Sequence, residues 1–400
     1  MEEQARLRAE TTPPLGSTAR HLASKSIRLK TALSTCERGL RDYEEVVASS
    51  PRDDNACHDS TMTSVAKRTN PALVGGMSMA IGSLPHRSFR DAFELSMNGT
   101  DIATVPSLPL RAPAESLIAQ ALVGIQGVTA GPYGSIGIDA PQLDPGAYVS
   151  TDLDDESFAS FRRFLKYAKG HTGTVKWQFV GPVTLGAALQ RAGVSANIAY
   201  AVALRAVQQH TDYLAREVAR SLPKCQQIVV LDEPDFGAIA DPEFVLPPDA
   251  AIDLLSGALA VLEPMAIAGV HCCGDADLAS ILAAGPTLLS VPAAAGLIES
   301  AGYIQRFVDN GGWIAWGAIA TDGPIPHSAE RPWRQLCELW CQMVQRGCDA
   351  ARLRQQSLIS PGCGLSGHSV AAAEAILELT RQLSARVKDQ SSATRFALGA

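Results

Sequence analysis

From residue 78 onward, short runs rich in Val, Ile and Ala alternate with longer runs whose apolar positions recur every three to four residues. The first pattern predicts strands, the second amphipathic helices. Strands are expected at 78–83, 101–105, 175–180, 228–231, 266–273, 287–291, 313–318 and 357–360. Helices are expected at 88–97, 114–123, 156–169, 196–220, 248–262, 277–283, 303–310, 332–346 and 369–388. Val- and Ile-rich strands flanked by helices make parallel βαβ units. Eight of them predict an α/β fold of the (β/α)8 TIM-barrel type over an open sheet. One domain is expected over 73–390, with a short tail at 391–400. Residues 1–72 lack such periodicity and are rich in Ser, Thr, Arg and Asp. They are expected to be a disordered extension, or sequence upstream of the true start at Met77 or Met79.

Composition narrows the class. The chain has 400 residues, 46% hydrophobic and 19% charged, which is ordinary for a globular protein with a large core. A net charge of −7 without a long basic run argues against a nucleic-acid partner. No uninterrupted apolar stretch is long enough to span a bilayer, and the acidic start Met1-Glu2-Glu3 is unlike a secretory signal. The nine cysteines are therefore read as reduced thiols in a cytoplasm rather than as a disulfide framework.

The ends of the expected strands carry the chemistry, as barrel active sites lie on the βα loops. In the run Gly269-Val270-His271-Cys272-Cys273-Gly274, His271 and Cys273 are two apart and so share a strand face. Imidazole plus thiolate is a zinc-type ligand pair, and Cys363, in Ser360-Pro361-Gly362-Cys363-Gly364, offers a third. Three protein ligands leave an open position, the arrangement of a catalytic zinc site. Cysteine is also a common small core residue, and that is the reading taken for Cys337, Cys341 and Cys348, which recur among Leu336, Leu339, Trp340 and Val344. Asp232 either caps a turn or clamps a substrate ammonium. Arg87 and Arg111 either bind a carboxylate or phosphate or are surface charge. His86 and His368 are read as solvated or structural.

These pieces, in this order, resemble the superfamily that unites uroporphyrinogen decarboxylase with the C-terminal barrel of cobalamin-independent methionine synthase. The resemblance spans residues 77–388 and is nearest to short single-barrel relatives of the synthase. Val270-His271-Cys272-Cys273-Gly274 and Ser360-Pro361-Gly362-Cys363-Gly364-Leu365 are similar to its zinc-binding motifs. Leu231-Asp232-Glu233-Pro234 is similar to its Ile-Asp-Glu-Pro motif, which implies that Asp232 holds a homocysteine amino group. Ile81-Gly82-Ser83 resembles its homocysteine-contacting turn. Gly181-Pro182-Val183-Thr184 is shared across the superfamily. The resemblance thus implies Zn2+ on His271, Cys273 and Cys363, and methyl transfer to a homocysteine-like thiol from a methyl-corrinoid protein or methyltetrahydrofolate. It assigns substrate contacts to Ile81, Gly82, Ser83 and Asp232, with Arg111 as a further candidate from its charge.

Two departures stand out. The usual acidic zinc ligand falls at Pro292, which leaves water, substrate thiolate or a displaced group such as Glu299 to complete the coordination. The usual acid/base histidine falls in Ala320-Thr321-Asp322-Gly323-Pro324, where Asp322 either stands in as the catalytic group or the role is lost. The folate-binding half of the long synthase is not recognisable in these residues, which tilts the expected donor toward a corrinoid. Two alternatives compete: a decarboxylase-like lyase on a polycarboxylate, which needs Arg87 and Arg111 at the mouth and no metal, and a zinc- or thiol-binding barrel without catalysis.

Overall fold

The computed structural model describes residues 73–397, apart from 132–133, 242 and 275–276. The expectations for 1–72 and for residues 398–400 lie outside the described residues. Strand β1 (Ala103–Thr104) is followed by a small antiparallel hairpin, β2 (Val128–Ala130) and β3 (Ile136–Ile138). Six more strands follow: β4 (Gly173–Val180), β5 (Cys225–Asp232), β6 (Ile267–His271), β7 (Leu288–Pro292), β8 (Trp313–Ile319) and β9 (Ser357–Pro361). All but the hairpin form one seven-stranded sheet, in chain order and with every pair parallel.

The sheet is curled in the manner of a TIM-like barrel, and one segment touches both of its edges. Ser78 bridges Ile359 of β9, while Met79 bridges Ile102 beside β1. Met79 N donates to Ile359 O at 2.9 Å, and Ile102 N donates to Ser78 O at 3.0 Å. The expected strand over 78–83 is thus present only as isolated bridges, at Ser78, Met79 and Ser83. Its backbone turns away at Gly82, whose φ of 141° lies in the region that favours glycine.

Between the strands run α1 (Phe89–Asn98), α2 (Leu117–Leu122), α3 (Ala159–Tyr167), α4 (Pro182–Arg191), α5 (Ala196–Ser221), α6 (Pro248–Leu262), α7 (Leu278–Ala283), α8 (Ala301–Asp309), α9 (Glu330–Gln345), α10 (Ala350–Gln355) and α11 (Val370–Ala397). Most match the expected amphipathic runs. The hairpin, α4 and α10 do not. Helix α4 has the sequence Pro-Val-Thr-Leu-Gly-Ala-Ala-Leu-Gln-Arg, with β-branched residues and a glycine that read as a turn. A tertiary contact overrides that weak propensity. Glu233, at the end of β5, accepts hydrogen bonds from Val183 N at 2.9 Å, Thr184 N at 2.8 Å and Thr184 Oγ1 at 2.6 Å. A carboxylate there satisfies free N–H groups of the first turn and complements the helix dipole. Gly181 has to be glycine, because a side chain would collide with the Glu233 carboxyl. The expected core role of the α9 cysteines is corrected in part: Cys341 is exposed and Cys337 half-buried, while Cys348 is buried beyond the helix end, its thiol donating to Ala301 O at 3.3 Å.

Strand alternation sorts the core into two layers. Val175, Trp177, Phe179, Val229, Leu231, Ala268, Val270, Leu289, Val291 and Trp316 pack against the helices. Met79, Ile102, Ile228, Val230, Ile267, Leu288, Ala315 and Leu358 form a separate cluster on the inside of the curl. Each such fully buried Ile, Leu, Val or Met contributes about 1.5–3 kcal/mol. Continuing two or four residues along the same face leads from this apolar plug to polar side chains: Val230 to Asp232, Ile267 to His271, Leu288 to Ser290 and Leu358 to Ser360. All four are buried.

His210 on α5 lies at the other, helix-packed layer. It is buried against Phe158 and Phe179, and Thr151 Oγ1 sits 2.8 Å from its Nδ1. Burial pushes its pKa from 6.5 down to about 4. The unfolded chain therefore takes up this proton first as pH falls. The stability tied to a neutral His210 is complete above about pH 6.5 and is lost between there and about pH 4. Thermal unfolding of His210→Gln across this window should show a shallower acid-side loss than the wild type, by up to roughly 3 kcal/mol. Parallel pH profiles of the two proteins would contradict this.

Candidate metal and substrate site

The register of β5, β6 and β7 builds the site. Asp232 pairs with His271, and His271 with Ser290, so three polar residues stand side by side in one row. His271 ends β6, and two residues later Cys273 is half-buried in the loop. Cys363 lies just past β9. Gly362 N donates to Ile319 O at 2.8 Å, which anchors this turn to β8. Gly317 allows the approach: a Cβ there would lie 2.8 Å from Gly362 Cα and 3.0 Å from Pro292 Cα.

The two distant motifs converge. The ligand atoms of His271, Cys273 and Cys363 all lie within 4.8 Å of one another. A tetrahedral ion with Zn–S bonds near 2.3 Å would separate two sulfurs by about 3.8 Å, so the spacing suits a shared metal. The imidazole is oriented for the same purpose. Nδ1 lies 3.2 Å from Ser290 O and 3.0 Å from Ser290 Oγ. A carbonyl can only accept, so Nδ1 carries the proton. That leaves the Nε2 lone pair free, and Nε2 is buried without a hydrogen-bond partner. An unpartnered buried polar atom costs about 1–3 kcal/mol, so its retention between two thiols fits a ligand role. The thiols also share a proton: Cys363 is held well below the ordinary thiol range chiefly by Cys273 donating to it, and Cys273 is pushed up chiefly by that same bond.

Asp232 and Lys176 flank the ligands. Asp232 is nearly fully buried and its Oδ1 has no hydrogen-bond partner. Burial pushes its carboxyl up to about 6, opposed by the charge of Lys176. Lys176 on β4 is completely buried, and burial pulls its ammonium down to about 8, against the pull of Asp232. Its Nζ donates to Ile81 O and, at 2.8 Å, to Gln178 Oε1. Burying an ion costs several kcal/mol even when paired. An apolar pair would fill this space at less cost, so the two charges make this cluster a candidate functional site.

The Ile81-Gly82-Ser83 turn is brought to this place. Ser83 O accepts from Leu365 N at 2.9 Å, and a side chain at Gly364 would collide with Ser83 Oγ. The turn therefore abuts the one that carries Cys363. Other candidates lie apart or are otherwise engaged. Arg111 is held by Glu115 and by Glu156 at 2.6 Å, and its guanidinium stacks 4.3 Å over Phe89. Arg87 donates to Leu110 O at 2.6 Å. Asp322 and Glu299 are exposed, and neither belongs to the ligand group. His86 is buried rather than solvated, and burial lowers its pKa against the pull of Glu374 and Asp91. Sequence reasoning missed Lys176, Gln178 and Ser290. Lys176 and Gln178 left a signal, as polar residues alternating with Val175, Trp177 and Phe179 along one strand.

No protein-family model matches the chain, and no curated protein matches it either. Among solved structures, it is similar to a Listeria monocytogenes protein provisionally assigned as a vitamin-B12-independent methionine synthase. The identity is 17% and the TM-score 0.47, over 77% of this chain and 95% of that one. That likeness is one of outline and assigns no chemistry here.

The Ser290 contact has a direct consequence for metal affinity. Outer contacts that fix an imidazole tautomer are commonly worth 10–100-fold in affinity. Ser290→Ala, which keeps the carbonyl and loses the hydroxyl, should weaken zinc about tenfold in competition with a chelator. Unchanged affinity would show that Ser290 does not orient His271.

Proposed function

We propose that the chain is a zinc-dependent thiol methyltransferase built on a closed (β/α)8 barrel, with the Ser78–Met79 segment as its eighth strand. The observation that carries this reading is the convergence of His271, Cys273 and Cys363, ninety residues apart in the chain, with a buried imidazole nitrogen left unpartnered among the sulfurs. Bound on those three side chains, zinc would supply the Lewis acidity that makes a thiol a nucleophile at neutral pH. The chain's own groups do the rest. Asp232 Oδ1, buried and free to accept, suits the ammonium of an amino-acid thiol such as homocysteine. The Gly82-Ser83 turn borders the same space and offers a hydroxyl for the other end of that substrate. Together they would fix the thiol's direction, which is worth more than affinity in a displacement at carbon. The methyl donor is a methyl-corrinoid protein or methyltetrahydrofolate. Asp322, on the loop after β8, is exposed and outside the ligand group, so this reading gives it no step.

The lyase reading loses support from Arg111, whose two terminal nitrogens are held by Glu115 and Glu156. A thiol-binding zinc barrel without transfer is favoured by one observation, Pro292 at the place of the usual acidic ligand. No helix among the described residues is long and apolar enough to cross a membrane.

Purified protein should carry about one zinc per chain. His271→Ala and Cys363→Ala should each lose it. The wild type should convert homocysteine to methionine with methylcobalamin or methyltetrahydrofolate as donor. Stoichiometric zinc in both variants would end the proposal. Thiol-dependent change at the zinc with neither donor active would select the non-catalytic reading.

A further inference from the structure

Lys176 is the most expensive side chain in the inner wall and the reading above gives it no task. It stands on β4 in register with Ile228, one of the residues of the apolar plug, so it rises from the inner face. It is completely buried, and its ammonium does not reach a carboxylate hydrogen bond: Asp232 acts on it only through space. What it does bind is backbone and amide. Nζ donates to Ile81 O and to Gln178 Oε1. Gln178, two residues on along the same face, in turn fills the space beside Gly82, where a Cβ would lie 2.6 Å from its amide. The turn is held from its other side too, by Ser107 N donating to Gly82 O at 3.2 Å and Leu365 N donating to Ser83 O at 2.9 Å.

These contacts form a chain from β4 to the metal ligands: Lys176 and Gln178, then Ile81-Gly82-Ser83, then Gly364 beside Cys363. We infer that Lys176, together with Gln178, is the positioning device that sets the Gly82-Ser83 turn at a fixed distance from the Cys363 turn, and so selects a thiol by the amino-acid end it carries. The inference rests on the proposed thiol site and deepens it. A buried cation suits this task because a carbonyl and an amide oxygen can be gripped by one ammonium without any flexible anion. Glycine at 82, with φ of 141° and no side chain, is what lets the Gln178 amide come this close to the turn.

The test uses the full chain loaded with Co2+, whose visible spectrum reports a thiol entering the coordination. Two probes separate the contacts: L-homocysteine has an amino-acid end and 2-mercaptoethanol has none. Lys176→Met should weaken homocysteine about tenfold or more, the factor expected from losing a charge-assisted hydrogen bond, while cobalt uptake and the affinity for mercaptoethanol stay within about twofold. Gln178→Ala, at a half-buried position, should weaken homocysteine by about threefold with the same selectivity, and it decides the matter should Lys176→Met fail to fold. An equal loss for both thiols, or no loss for homocysteine, overturns the inference while leaving the thiol site standing. A wild-type cobalt protein whose spectrum answers to neither thiol overturns the thiol site itself.

Discussion

The site depends on the register of three parallel strands. Asp232, His271 and Ser290 are neighbours only because β5, β6 and β7 pair as they do. In a strand the side-chain period is two, so a slip by one residue would turn His271 toward the helices and bring Val270 inward. That slip is prevented from below. Val230, Ile267 and Leu288 sit on the same face and are buried in the inner plug. A slip would bring Val229, Ala268 and Leu289 inward in their place, but it would drive Asp232, His271 and Ser290 into the apolar layer under the helices, where an unpaired polar group costs about 1–3 kcal/mol. The apolar layer under the helices therefore fixes the phase in which the polar row is presented.

A second constraint comes from the loops. Gly317 brings the ends of β7, β8 and β9 to backbone contact, and the Cys363 turn follows from it. Pro292 lies at that contact. The position where the resemblance places an acidic ligand is Pro292, whose backbone lies against Gly317, and Ser290, one inward-facing step before it, bonds to the imidazole. For the proposed zinc, two thiolates and a neutral imidazole would leave a bound Zn2+ without net charge, and an open position for an incoming thiolate.

Much of this was legible in the sequence because the signals were periodic. The runs of Val and Ile located every strand of the sheet to within a few residues, whereas the strand face expected to carry both His271 and Cys273 ends at His271, and Cys273 stands in the loop beyond it. Cys363 was legible from its Gly-flanked turn at a strand end. What was not legible is what depends on partners far away in the chain. Helix α4 looks like a turn until the Glu233 carboxylate is placed under its first N–H groups. Lys176 looks like a surface charge until Ile81 O and Gln178 are seen to hold it. Arg111 shows the reverse: a plausible anion ligand in sequence, it is engaged by Glu115 and Glu156 in the fold. The first strand was overestimated because its apolar run continues into a turn that Gly82 permits.

Zinc K-edge X-ray absorption on the full chain, recorded with and without L-homocysteine, tests the central claim most directly. The account predicts a first shell of two sulfurs at about 2.3 Å and one nitrogen at about 2.0–2.1 Å, with one further sulfur when the thiol is present. A shell of oxygen and nitrogen alone, or a sulfur count that the thiol leaves unchanged, would contradict it.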